Sequence, residues 1–323
     1  MLIKSTNFSC FVVTGRTWPF IKKWLKFIFL CAVFMSMLWG CAMTPKKSFF
    51  TNDKSGLPGE ERIISVQTGL PVSSDILWAD LDTVQVIYVG EKHRYAAHHR
   101  VQLKVIKELF KRYPELSIGM EMFDRSYQHV LNLWSSGKLD QEIFLKKTHW
   151  YANWKFDFEL YHDILNFIKE KNIPLVGLNI PFHIPPKIAV GGIDSLMDDD
   201  RKYIPEKINV SDTDHRAYVQ EVFTHHPHIR GRDNFENFYV AQCVWDDAMA
   251  ESVALNLKEN KMVVLAGIGH VQKFGIPDRV LDRTGSDFRI ILPTSSTTES
   301  EHPAADYLWI TPPNKKRHSS PDD

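Results

Sequence analysis

Four segments of this 323-residue chain place acid, amide or imidazole groups directly after short apolar runs. Val84 to Val89 leads into Gly90-Glu91-Lys92-His93, and Leu116 to Met120 leads into Glu121. Ile173 to Leu178 leads into Asn179, and Met262 to Ala266 leads into Gly267-Ile268-Gly269-His270. Each residue alone has an ordinary explanation, because a single Glu or His after a strand is commonly a cap or a solvated loop residue. Two Gly-x-x-His copies with carboxylates at neighbouring run ends carry more information. They suit a divalent transition metal with a water ligand, held by His93, Glu121 and His270. They suit equally a metal-free acid–base pair, with Glu91 or Glu121 as base toward water and His93 and His270 stabilising charge.

The elements that position these groups follow from the pattern between them. Apolar runs at 84–89, 116–120, 173–178, 262–266 and 288–292 alternate with longer amphipathic segments. Strands nearly continuous in apolar residues and separated by helices indicate a parallel sheet covered on both faces. The expected fold class is therefore α/β: a small, mainly parallel sheet flanked by helices, with a helical subdomain supplied by inserts at about 124–170 and 185–258. In open parallel sheets ligands bind outside the carboxyl ends of the strands. Glu91, His93, Glu121, Asn179 and His270 are thus aimed at one crevice. A helix over 98–111 adds His98, His99 and Gln102, and one turn separates either histidine from Gln102, so one such pair can face the crevice. Gln242, Trp245, Asp246 and Met249 share one helical stripe. Trp245 and Met249 read as core, and a carboxylate among them needs a buried partner or a ligand.

Charge excludes one class of partner. Lys+Arg and Asp+Glu both total 39, so no basic excess points to nucleic acid. The segment His149 to His162 (HWYANWKFDFELYH) is dense in rings, most of them readable as packing. A flat apolar ligand such as haem would also want such walls, around Trp154, with Tyr151 or Tyr161 as possible iron ligands. His225, His226 and His228, beside Pro227, read as an exposed loop rather than a metal tract. Of four cysteines only Cys243 lies inside the expected domain, as a small buried hydrophobe.

The N-terminal region reads as an export signal. Lys22, Lys23 and Lys26 precede an uncharged run from Phe27 to Trp39, shorter than the roughly 20 residues a spanning helix needs. It ends in Leu38-Trp39-Gly40-Cys41, which resembles a lipobox. Residues 1–40 are expected as a lipoprotein signal, Cys41 as the lipidated residue, 41–60 as a tether and 313–323 as a tail. The main domain is then 61–312. Ala42 after the cysteine implies, by the lipoprotein sorting rule, a bacterial cell envelope location: the outer membrane, facing the periplasm.

From about residue 80 to 312 the chain resembles the ChaN family of haem-binding lipoproteins within the Tiki/TraB-like superfamily. The resemblance rests on ordered segments: YVGEKH at 88–93, HHRVQ at 98–102, GMEMFDRS at 119–126 and GLNIP at 177–181. The W-x-F-x-x-x-L-Y pattern at 154–161, FYVAQCVWDDAMA at 238–250, AGIGHVQKFGIPDR at 266–279 and ADYLWITP at 305–312 complete it. It implies haem binding for iron uptake, by a homodimer that sandwiches haem with a tyrosine on iron and basic side chains on the propionates. Relatives in the superfamily that use paired Gly-x-x-His or Gly-Glu-x-x-His motifs imply the alternative, an envelope hydrolase or protease. Asn179, Asp246, His98 and His99 join Tyr151, Tyr161 and Trp154 as candidate contacts to a bound cofactor.

Overall fold

Val86 to Val89 and Met262 to Leu265 have no accessible surface. A run buried on both faces belongs in the middle of a covered sheet. In the computed structural model the two lie side by side at the centre of an eight-stranded sheet. The structure describes residues 61–225, 234–295 and 305–312, all within one unit, Asn52–Asp323. The expected signal, Cys41, the tether, the tail, and His226 and His228 lie outside the described residues.

The chain opens with β1 (Arg62–Ser65), β2 (Pro71–Val72) and α1 (Ser74–Leu81). The first crossover is β3 (Val86–Glu91), α2 (Ala96–Arg112) and β4 (Ser117–Asp124). Helices α3 (Gln128–Ser135), α4 (Gln141–Thr148), α5 (Trp150–Asn153) and α6 (His162–Lys171) lead to β5 (Leu175–Asn179). The second helical stretch holds α7 (Ile184–Gly191), α8 (Asp198–Arg201), α9 (Thr213–His225) and α10 (Phe235–Asn256). Then come β6 (Met262–Gly267), α11 (Ile276–Thr284), β7 (Phe288–Thr294) and β8 (Tyr307–Ile310).

The sheet order is β2-β1-β8-β7-β3-β6-β4-β5. From β8 to β5 every neighbouring pair is parallel, and β1 and β2 add an antiparallel edge. All five expected strands are present. β1, β2 and β8 were not anticipated as strands; they are two to four residues long, too short to show a period.

The two helical stretches are packed differently. Trp134, Phe144, Trp150, Phe158 and Tyr161 join the same apolar cluster as Ile87, Val89, Ile118 and Leu265 of the sheet. Burying a large side chain contributes roughly 1.5–3 kcal/mol, so these rings extend the main core. The second stretch forms smaller clusters of its own, Ile184, Ile188, Val244 and Ala248 in one and Val219, Tyr239 and Cys243 in another. Asp140 caps α4 by accepting from the Ile143 N–H, and the helix ends at His149 in the left-handed conformation (φ 51°). Among the described residues no helix is long and apolar enough to cross a membrane.

Candidate functional site

β3, β6 and β4 are consecutive and parallel, so their carboxyl ends open on one edge. Register pairs Glu91 with Gly267 and Met120 with Leu265. Beyond Met120 the pairing of β4 with β5 is irregular, resuming at Asp124 with Asn179. Such an irregularity re-aims a side chain, and Glu121 is the residue placed there. Gly267 lies close beneath the site: a Cβ on it would stand 3.0 Å from His93 Cε1 and 3.5 Å from Glu121 Oε2, so a side chain there would crowd the His93 ring.

Glu91 is buried and saturated. Its Oε1 accepts from His93 Nδ1 at 2.8 Å and from the Tyr161 hydroxyl at 2.5 Å. Its Oε2 accepts from Gln102 Nε2 at 2.8 Å and stands 3.4 Å from His99 Nδ1. Burial alone would raise the Glu91 carboxyl; the charge of His99 and the hydrogen bonds from both histidines outweigh it and hold the carboxyl far below its usual range. Burial opposes protonation of His93 and His99, but Glu91 raises both above the ordinary imidazole value. Burial, then the neighbouring carboxylates, push Tyr161 far above the usual phenol range.

A second chain of polar groups runs beside the first. Glu121 Oε2 accepts the Gly267 N–H at 2.6 Å, and its Oε1 lies 3.5 Å from His270 Nε2. His270 Nδ1 donates to Asp246 Oδ1 at 2.5 Å, and Asp246 Oδ2 is 3.1 Å from His215 Nε2. Burial works against a charged His270; Glu121 and Asp246 reverse that and raise it to about 9. Asp246 would likewise be raised by burial, and the charge of His270 with the contacts from His215 holds it well below the carboxylate range. Arg279 continues the line, donating to His215 Nδ1 at 3.0 Å and pairing with buried Asp247. Asp247 also accepts from Arg283 at 2.6 Å.

A cleft of about 230 Å³ opens on these groups, lined in part by Glu91, His93, Gln242, Gly267 and His270. His93 is the accessible imidazole there, its side chain 28% exposed against 11% for His270. Its ring meets Trp154 and Phe156, each with centroids 4.8 Å away. The arrangement can hold charge and pass protons between paired groups.

Several candidates play inward parts instead. His98 Nδ1 accepts the Lys92 N–H at 3.0 Å, and His99 Nε2 donates to the His93 carbonyl at 3.0 Å. Both are buried beneath the loop that carries His93, as is Gln102, while Arg100 and Lys104 on the same helix are exposed. Asn179 Nδ2 donates to the Glu121 carbonyl at 3.0 Å, while its Oδ1 accepts from Trp245 Nε1 at 2.7 Å. It fixes β4 and α10 and does not line the cleft. Trp154 is buried in the core cluster. Tyr161 has no accessible surface and spends its hydroxyl on Glu91, which removes it as an iron ligand. Tyr151 is the opposite case, 59% exposed.

His93, Glu121 and His270 do not form a three-ligand set. Among the described residues no group of three or more His, Cys, Asp and Glu side chains is disposed to hold a metal ion. His93 and His270 each give Nδ1 to a buried carboxylate, Glu91 and Asp246. The expected metal site is corrected to two hydrogen-bonded chains.

Sequence reasoning missed His215, which sits at the start of α9 in no motif, and Arg279, whose burial nothing local announces. It also missed His149, exposed at the end of α4 two residues before Tyr151.

A mainly parallel α/β sheet with a cleft at the carboxyl ends of three adjacent strands defines the architecture. The chain belongs to the family described as haem-binding uptake, Tiki superfamily, ChaN, which it matches over residues 77–280. Its fold is similar to that of ChaN of Campylobacter jejuni, a structure of cofacial haem binding, with a TM-score of 0.63 at 19% identity. That likeness covers 78% of this chain and 96% of the other. An erythromycin esterase mutant in its open conformation is more distant, with a TM-score of 0.43 and 15% identity over 78% of this chain and 83% of its own. No curated protein matches the chain.

Proposed function

We propose that this protein is an envelope lipoprotein that binds haem for uptake. The carrying observation is membership of the haem-binding family across 77–280. The geometry adds a preference between the two candidate tyrosines. Iron needs a phenol that it can reach and that can give up its proton, and Tyr161 is sealed onto a carboxylate. Tyr151 is exposed, in a stretch that also exposes Ile143, Lys146, Lys147, His149 and Lys155. An accessible phenol with apolar and cationic neighbours suits the iron, the ring and the propionates of haem together. A second copy covering the other porphyrin face fits the homodimer that the family resemblance implies. Anchoring through Cys41 at the periplasmic face of the outer membrane rests on the basic-then-apolar run that precedes it. The hydrolase reading is not favoured, because the family matched over 77–280 is described as haem-binding.

Titration of the purified chain with haemin, followed in the Soret region, tests the proposal. Saturable binding is expected, with Tyr151→Phe weakening it at least about tenfold, or roughly 1.4 kcal/mol. No Soret change on the unmodified protein, with a transition metal bound in stoichiometric amount as purified, would sink the haem reading. Unchanged affinity in Tyr151→Phe would move the ligand elsewhere.

A further inference from the structure

A groove of about 810 Å³ lies between α2 and α6, away from the strand-end cleft. Its floor is apolar: Leu103, Phe110 and Phe167, the two rings edge to face with centroids 5.8 Å apart. Its rim is cationic: Arg100, Lys104, Lys107, Lys111 and Lys171. Two carboxylates share the lining, Glu108 and Asp163, and Lys111 already engages Glu108 at 2.7 Å. Five cations over three apolar side chains call for an occupant that is anionic and amphiphilic. The lining has no Tyr, His, Met or Cys, so nothing in it can ligate haem iron. One further contact orients the groove. Lys104 pairs at 3.1 Å with Glu61, which directly precedes β1, so the chain enters the sheet beside this rim. Cys41 lies twenty residues before Glu61 in the chain.

The geometry points to a seat for anionic phospholipid of the membrane that holds the protein, with phosphate on the lysine rim and the upper acyl chain on Phe110 and Phe167. This rests on the anchoring reading above, since the anchor brings this face to a lipid surface. A row of lysines near an anionic surface gains attraction that is short-ranged and screened by salt. The contact would hold the domain in one orientation on the membrane.

Lysine footprinting tests the seat. The full chain is mixed with vesicles of phosphatidylcholine alone or with phosphatidylglycerol added, floated, and acetylated briefly, and each lysine is read by mass spectrometry. Labelling of Lys107, Lys111 and Lys171 is expected to fall at least about fivefold on the phosphatidylglycerol vesicles at low salt and to recover at high salt. Lys147 should label equally on both. In Lys107→Glu with Lys111→Glu, Lys171 should label alike on the two vesicle types. A chain that floats with both and labels identically overturns the seat and leaves the anchor standing. A chain that floats with neither overturns the anchor, and the seat with it. Protection that follows protein density would assign the groove to a second copy, and protection by haemin without vesicles would assign it to haem; either overturns the lipid proposal.

Discussion

In the strand-end cleft Glu91 accepts from His93, Gln102 and Tyr161, so the Tyr161 hydroxyl is spent on it. Ten residues earlier in the chain than Tyr161, Tyr151 stands 59% exposed, with exposed Lys146, Lys147 and Lys155 near it in the sequence. The two regions use the same residue types for opposite ends. A buried carboxylate is tolerable only when it is fully paired, and full pairing removes the lone pairs and protons that a ligand would need. The exposed stretch pays no such desolvation cost, so its phenol and imidazole stay available. Accessibility, more than the density of polar groups, separates a binding surface from an internal scaffold here.

Breaking the internal network should give the largest effect. Asp247→Ala strands buried Arg279 and should cost about 3–5 kcal/mol in chemical denaturation. A loss below about 1 kcal/mol would mean that the network is not the scaffold described. Glu91→Gln keeps the shape but removes the charge beside His93 and His99, and a loss of about 2–3 kcal/mol is expected by the same assay. Tyr161→Phe deletes one hydrogen bond to Glu91 and should cost about 1–2 kcal/mol while haemin titration stays as in the parent. A shifted Soret titration in that variant would blur the comparison at its sharpest point.

The pH dependence follows from His270, whose folded pKa is raised to about 9. A raised imidazole stabilises the fold fully below its unfolded value of about 6.5 and loses that contribution as pH rises through about 9. Melting curves should therefore soften across that window, and His270→Gln should flatten the dependence. Glu91 and Asp246 act in the reverse sense: their depressed values stabilise above about pH 4 and the gain disappears on further acidification. The smallest change belongs to Tyr151→Phe, within about 0.5 kcal/mol of the parent in stability despite its effect on haem.

The parallel sheet was legible because five mostly apolar runs alternated with amphipathic segments, and four of those runs led directly into Gly, Glu or Asn. Convergence of Glu91, His93, Glu121 and His270 followed from strand direction alone. What those groups do when they meet was not legible, because it depends on partners that sequence spacing does not reveal. Tyr161 reaches Glu91 across 70 positions, and Asp246 reaches both His270 and His215. Tyr151 and Tyr161 sit in one aromatic segment and look alike there; their difference appears only once the following turn sends one ring under α2 and leaves the other outside.

The edge pairing of β1 with β8 sets how the domain bears load. Arg62 lies opposite Ile310 and Ser65 opposite Tyr307, so the two ends of the described domain meet at one corner of the sheet. Tension applied between those ends would peel the two strands apart one hydrogen bond at a time, the weakest way to strain a ladder. The same corner makes the domain a natural candidate for circular permutation, since a short linker could join the ends without crossing the cleft.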